Sequence, residues 1–305
     1  MLNKIYKKFF SGNNKALLNE KIKELTELRD ASDEIAIYGS PTEGNWLGIA
    51  NATKSLFPTS SYEYPQWYSK SVFSKSEWNV WKKELIKLNF KKITISGFAT
   101  FFCELIEEHG ENNFFEVIYH GTWSELHNKE IQYLMNNIFK LTQKGNIKRI
   151  GFVKKGMAET VSKLLGYTCF HTPLPTPIIP KEIKKLELDR SKIHIGVFGA
   201  DTFNKNLHNQ VVHALLIENS IIHVLDKSIF SYLNMEHRIV EHGKNLPKEK
   251  FLSILGSMDL NLYMSYSESW GLVAFESEAM GVPCIQSLHV DYEASIIEKI
   301  QNIKS

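Results

Sequence analysis

The chain has 305 residues, 43% of them hydrophobic and 23% charged, a balance that excludes a disordered or fibrous protein and suits two compact domains. Its 36 lysines and arginines nearly cancel 34 aspartates and glutamates, so charge marks neither a nucleic-acid partner nor an acidic membrane surface. No apolar run reaches the ~18 residues that a bilayer crossing needs, and residues 1–10 lack the apolar core of a signal peptide, which predicts a cytoplasmic protein.

Short β-rich runs alternate with helical patterns along the chain. Residues 34–38, 92–96, 115–119 and 149–153 read as strands of a first half, and 193–198, 221–225, 238–241, 260–266 and 283–286 as strands of a second. That alternation predicts an α/β fold of two Rossmann-like, doubly wound domains, each a parallel sheet covered by helices. Between the halves, Pro173, Pro175, Pro177 and Pro180 cannot share a regular element, so 172–191 reads as a linker joining domains 1–180 and 181–305. Cys103, Cys169 and Cys284 lie far apart at no metal-ligand spacing, which predicts reduced thiols buried as small apolar groups.

Ligands of such sheets sit beyond the carboxyl ends of the strands, so the loops there are where chemistry is sought. In the first half, 38–48 supplies glycines after the first strand, and His120 follows the third, where an imidazole can donate a hydrogen bond or carry charge near neutrality. Trp46, Trp67 and Trp123 are available for an aromatic surface or for the core. In the second half, 199–206 opens on Gly199 and brings Lys205 to the start of a helix carrying Leu207, Val211, Val212 and Leu215. A lysine there can neutralise a diphosphate. Further on, a strand gives way to a turn at Gly243 and a helix started by Pro247, with His242 and Lys244 as the turn's polar side chains.

The most informative stretch is 264–284, MSYSESWGLVAFESEAMGVPC. It predicts the end of a buried strand near Tyr266, a cap from Ser267 or Ser269, a helix over 271–280, and a stop at Gly281 and Pro283. The amides of Trp270, Gly271 and Leu272 then face out of a helix N-terminus, where free donors and the helix dipole favour a phosphate. Glu268 precedes that helix and Glu276 lies within it, in the spacing E-x7-E. Were both helical, they would stand ~12 Å apart along the axis, beyond the ~5 Å of a retaining glycosidase's carboxylate pair, so they have separate jobs.

On Glu268, Gly271, Glu276, Gly281 and Pro283 the chain resembles the GT-B retaining glycosyltransferases with the E-x7-E motif, of the kind grouped as glycosyltransferase family 4. The resemblance implies two Rossmann-like domains facing a cleft and transfer of a sugar from a nucleotide diphosphate sugar to a glycan, lipid-linked or other hydroxyl. It implies that Glu276 holds the ribose hydroxyls, that Glu268 faces the transferred sugar, and that Lys205, beside Gly199, meets the diphosphate. The Gly243 turn then lies beside the base, mostly through backbone atoms, and His120 lies near the donor sugar and phosphate. No Asp-x-Asp pair occurs, which points to phosphate binding by amides and lysine without a metal or other cofactor. The sequence departs from the family at Ala200, where arginine is usual, and in ending 22 residues after Pro283, an expected shortening of the second domain. Two other readings stand beside this one: a non-catalytic nucleotide-sugar- or partner-binding module, and a nucleotide-sugar epimerase of similar fold.

Overall fold

The computed structural model describes residues 14–41, 46–67, 70–173, 179–180, 182–244 and 246–287, and the chain divides into two compact units, 1–175 and 176–305. Strands β1 (Glu34–Gly39), β5 (Lys92–Ser96) and β6 (Phe115–Tyr119) form the centre of the first unit, and their runs of buried residues on both faces are the signature of a parallel sheet covered on each side. With β2 (Ser61–Tyr64), β7 (Ile147–Phe152) and β8 (Cys169–His171) they make a six-stranded parallel sheet in the order β2-β1-β5-β6-β7-β8. A two-stranded antiparallel ribbon, β3 (Gln66–Trp67) with β4 (Lys70–Ser71), lies apart from it.

Helices α1 (Lys15–Ala31), α2 (Leu47–Leu56), α3 (Lys75–Lys87), α4 (Phe101–His109), α5 (Lys129–Gln143) and α6 (Lys155–Leu165) belong to this unit. Helix α3 begins with a capping box: Ser74 accepts from the Glu77 amide while the Glu77 carboxylate accepts from the Ser74 amide at 2.9 Å. Its inner face inserts Trp78 and Trp81 against Tyr64 and Phe102, with ring centroids 4.8 to 6.3 Å apart. A fully buried side chain of that size contributes upwards of about 2 kcal/mol through apolar area alone.

The second unit is a five-stranded parallel sheet in the order β11-β10-β9-β12-β13, formed by β9 (Ile193–Val197), β10 (Ser220–Val224), β11 (Ile239–Glu241), β12 (Leu260–Tyr263) and β13 (Cys284–Gln286). One core packs β9 and β10 against α7 (Leu207–Leu215), and the other packs Phe198 against α8 (Lys248–Leu255) and Val282. Helix α9 (Leu272–Ala279) follows β12. Among the described residues no helix is long and apolar enough to cross a membrane.

Several elements differ from the sequence expectation. β12 ends at Tyr263, not Tyr266, because the Met264 amide turns to Gln210 Oε1 at 2.9 Å and the Tyr266 amide to the Asn204 carbonyl at 2.7 Å. Arg238 lies in a 3₁₀ turn ahead of β11, and its guanidinium takes up the carbonyls of Leu215, Ile217 and Ser220 at 2.7 to 3.1 Å, where α7 ends. β2 and β8 were not expected, being four and three residues long at the sheet's edges. The three cysteines are free but half-buried, not enclosed. Of the expected glycine loop, 42–45 lie outside the described residues, as do 174–178 and 181 of the linker and everything after 287, including the chain end.

Candidate functional site

In the second sheet the chain runs from β9 outward through β10 to β11 and then returns to the other side of β9 as β12. Such a reversal leaves a crevice beyond the carboxyl ends of β9 and β12, and the loops 198–206 and 264–271 that follow those strands edge it. Lys205 and Glu268 meet there: Nζ lies 2.8 Å from both carboxylate oxygens, 3.4 Å from the Tyr263 hydroxyl and 5.7 Å from the Tyr263 ring centroid. Glu268 is only 5% exposed, and a carboxylate so far out of water requires a partner of this kind. Burial, and next the Glu268 charge, hold the Tyr263 phenol well above its ordinary pKa, so it stays protonated.

Amide side chains bring the two loops together. Asn204 Nδ2 donates to the Ser267 carbonyl at 3.3 Å and Asn206 Nδ2 to that of Met264 at 3.0 Å, while Gln210 bridges the Lys205 carbonyl (2.7 Å) and the Met264 amide (2.9 Å). Asn206 stands at φ +54°, a left-handed conformation that asparagine tolerates well, and it separates the 3₁₀ turn Phe203–Lys205 from α7. At Gly199 a Cβ would lie 3.0 Å from Leu207 and 3.5 Å from Lys205 Cβ, so glycine leaves the room in which Lys205 folds back over the strand end.

Helix α9 starts beside this pair. Its N-cap is Gly271 at φ +84°, with no side-chain cap; neither Ser267 nor Ser269 serves as expected, because the left-handed turn at Gly271 already sets the helix start. The amides of Trp270, Gly271 and Leu272 make no hydrogen bond among the described residues, which leaves donors at the positive end of the helix dipole. Trp270 stacks on Phe275 with centroids 5.4 Å apart. One turn further on, Glu276 is 2% exposed and ion-paired with Lys248, the first residue of α8. Burial pushes its carboxyl pKa up and Lys248 opposes that. The two glutamates therefore answer to two different lysines.

Gly243, at φ +91°, turns the loop between β11 and α8, and Lys244 in the same loop pairs with Asp226 at 2.5 Å. A cavity of about 360 Å³ opens beyond β9 and β10, lined by Gly199, Val224, Asp226, Phe230 and Lys244 among others. It lies on the β10 side of the Lys205–Glu268 pair.

Gly199, Lys205, Gly243, Glu268, Trp270, Gly271, Leu272 and Glu276 thus belong to the second unit, and His120 to the first. His120 follows β6, with Nε2 3.0 Å from Ser96 Oγ, which in turn lies 2.6 Å from Thr53 Oγ1. Burial pushes its pKa down to about 4, so it is neutral at pH 7. Trp46 and Trp123 pack against the first unit's core, and Trp67 lies in β3. Sequence reasoning missed Lys248 and Tyr263: Lys244, Lys248 and Lys250 look alike in the sequence, and only the fold places one of them on Glu276.

No protein-family model matches the chain, and no curated protein is significantly similar to it in sequence. Among solved structures it is similar to sucrose-phosphate synthase from Thermosynechococcus elongatus, with TM-score 0.58 and 13% identity over 83% of this chain and 80% of that one. It is similar to a trehalose-6-phosphate protein from E. coli bound with UDP-2-fluoro glucose, with TM-score 0.56 and 11% identity over 85% of both chains. HepE of Anabaena, in complex with UDP and glucose, gives TM-score 0.56 and 13% identity over 83% of this chain and 80% of that one. This likeness establishes the fold alone, the GT-B fold of two Rossmann-like α/β domains.

Proposed function

We propose that the chain is a cytoplasmic glycosyltransferase of the E-x7-E, family 4 type, which moves a sugar from a nucleoside diphosphate sugar to the hydroxyl of a glycan or lipid-linked acceptor with retention. UDP is the nucleotide we favour, since the E. coli and Anabaena structures hold UDP compounds. The observation that carries the reading is the Lys205–Glu268 pair at the strand reversal, directly beside the unbonded amides at the head of α9.

Cleavage of the bond from sugar C1 to the diphosphate sends its electron pair to a phosphate oxygen. Lys205 and the amides of Trp270, Gly271 and Leu272 are the donors that stabilise that growing charge, in a setting already fixed before reaction. The acceptor hydroxyl adds to C1 on the face the diphosphate leaves, and its proton passes to the leaving phosphate. Glu276, kept in place by Lys248, accepts from the ribose hydroxyls, and Glu268 takes a hydroxyl of the transferred sugar. Neutral His120 gives or takes a hydrogen bond at that sugar. Lysines and amides supply the positive charge, so the reading needs no resident metal or other cofactor.

The test is nucleotide release by the full chain from UDP-, GDP-, ADP- and dTDP-sugars, with the product anomer read by NMR. Release from one of them, retention of configuration, and a large loss in Glu276→Ala support the reading. A chain that neither binds nor turns over any of the four overturns it.

A further inference from the structure

Three imidazoles form a hydrogen-bonded row through the second sheet. His194 Nδ1, on β9, lies 2.9 Å from His223 Nε2 on β10, and His223 Nδ1 lies 2.8 Å from Nε2 of His242, just after β11. At the other end, His194 Nε2 lies 2.9 Å from the Asp189 carbonyl oxygen. His194 and His223 are buried and His242 is half-buried, its ring plane within 14° of that of His223 as an in-plane hydrogen bond requires. These separations are those of single hydrogen bonds, each with one proton between two atoms.

A carbonyl can only accept, and that decides the whole row. His194 must donate from Nε2, so neutral His194 offers a bare Nδ1. His223 must then donate from Nε2 to His194, and His242 from Nε2 to His223. The row ends at a bare His242 Nδ1, which has no partner among the described residues. A proton taken up there has no way onward, because the Asp189 carbonyl cannot accept it as an acid would; the row fixes a tautomer and conducts nothing. Neutrality is in keeping with the surroundings: burial, then the flanking imidazoles, push His223 down to about 3, and burial, then Lys250 of α8, push His242 down.

We infer that His194 and His223 are positioning residues that hold His242 as an obligate hydrogen-bond acceptor, which recognises the imide N–H of the bound nucleotide's base and so favours a uracil-type base. The inference rests on the proposed function. Glu276, assigned to the ribose, is paired with Lys248, and the loop that delivers Lys248 begins at His242 and turns at Gly243. With the diphosphate at Lys205 on one side of the ribose, the base on its other side faces that loop. An acceptor there suits a ring N–H and disfavours the bare ring nitrogens of adenine and cytosine.

Two measurements on the full chain test this. Long-range proton–nitrogen NMR with ¹⁵N-histidine at pH 7 should show His194, His223 and His242 protonated at Nε2 and bare at Nδ1; an Nδ1–H tautomer or an imidazolium at His242 overturns the row. Calorimetry should show UDP binding about tenfold or more tighter than N3-methyl-UDP, a gap that narrows in His242→Ala and in His223→Phe. UDP binding without that gap overturns the base contact alone. Failure of UDP to bind where another of the four nucleoside diphosphates binds overturns the base contact and leaves the proposed function standing; failure of all four overturns both, while the tautomer result stands on its own. Because the N3-methyl probe is used on the parent protein, the test survives a variant that fails to fold.

Discussion

Lys205 and Glu268 neutralise one another: both carboxylate oxygens lie 2.8 Å from the one ammonium, and the carboxylate has almost no water around it. A diphosphate arriving at Lys205 must therefore share a cation that is already engaged. Glu268→Gln keeps the shape and frees the charge, so free UDP should bind about three- to tenfold tighter to this variant, while turnover of the intact donor falls by at least about tenfold. Calorimetry beside a turnover assay checks both; UDP binding weaker than in the parent would take Lys205 out of the phosphate site.

Lys205→Ala should weaken UDP binding and leave uridine binding nearly unchanged, since it removes charge opposite the phosphates only. It also strands a buried carboxylate, which costs about 3–5 kcal/mol when a buried pair loses one partner. The melting temperature should accordingly fall in Lys205→Ala and recover in Lys205→Ala/Glu268→Gln, with UDP binding still weak. A double variant that melts as low as the single one would refute the pairing.

Glu276→Ala should weaken UDP binding by about one to two decades through loss of charged hydrogen bonds to the ribose. Lys248→Ala should act through pH. Without the lysine, burial drives the Glu276 carboxyl further up from a value already raised in the folded state. A carboxyl with a raised folded pKa lends stability at low pH and loses it as pH rises, so this variant's melting temperature should drop between pH 5 and pH 8 relative to the parent. A parallel shift at all pH values would mean that Lys248 does not act on Glu276.

His120, pushed down to about 4, binds a proton less readily folded than unfolded. The unfolded chain then takes up protons below about pH 6.5, and stability is lost as pH falls from there toward 4. In NMR the His120 ring should titrate near 4, and His120→Gln should flatten the acid limb of the melting curve. A midpoint near 6.5 would show that the Ser96 contact leaves the ring open to water.

Short runs rich in β-branched and aromatic residues declare a strand from composition alone, which is why 92–96 and 115–119 were legible to the residue. Met264 to Tyr266 looked like more strand, but the amides of Met264 and Tyr266 have better partners in Gln210 and Asn204, over 50 residues away. Lys205 and Glu268 could be picked out because they sit at a helix start and in the loop after a strand, and Glu276 by its E-x7-E spacing from Glu268. The lysine on Glu276 could not. Nor could the histidine row: His194, His223 and His242 are scattered in sequence, and only the parallel register that sets Ile221 against His194 and His223 against Val240 lines them up.

The asparagine and glutamine staples between 198–206 and 264–271 are made wholly of the chain's own donors and acceptors, so these two loops are ordered when the chain folds. Conformational freedom surrendered at that stage need not be surrendered again on association. Binding at Lys205 should then proceed with a small entropy penalty and little change of shape, and the Tyr266 amide, 2.7 Å from the Asn204 carbonyl, should exchange slowly with solvent deuterium before any nucleotide is added.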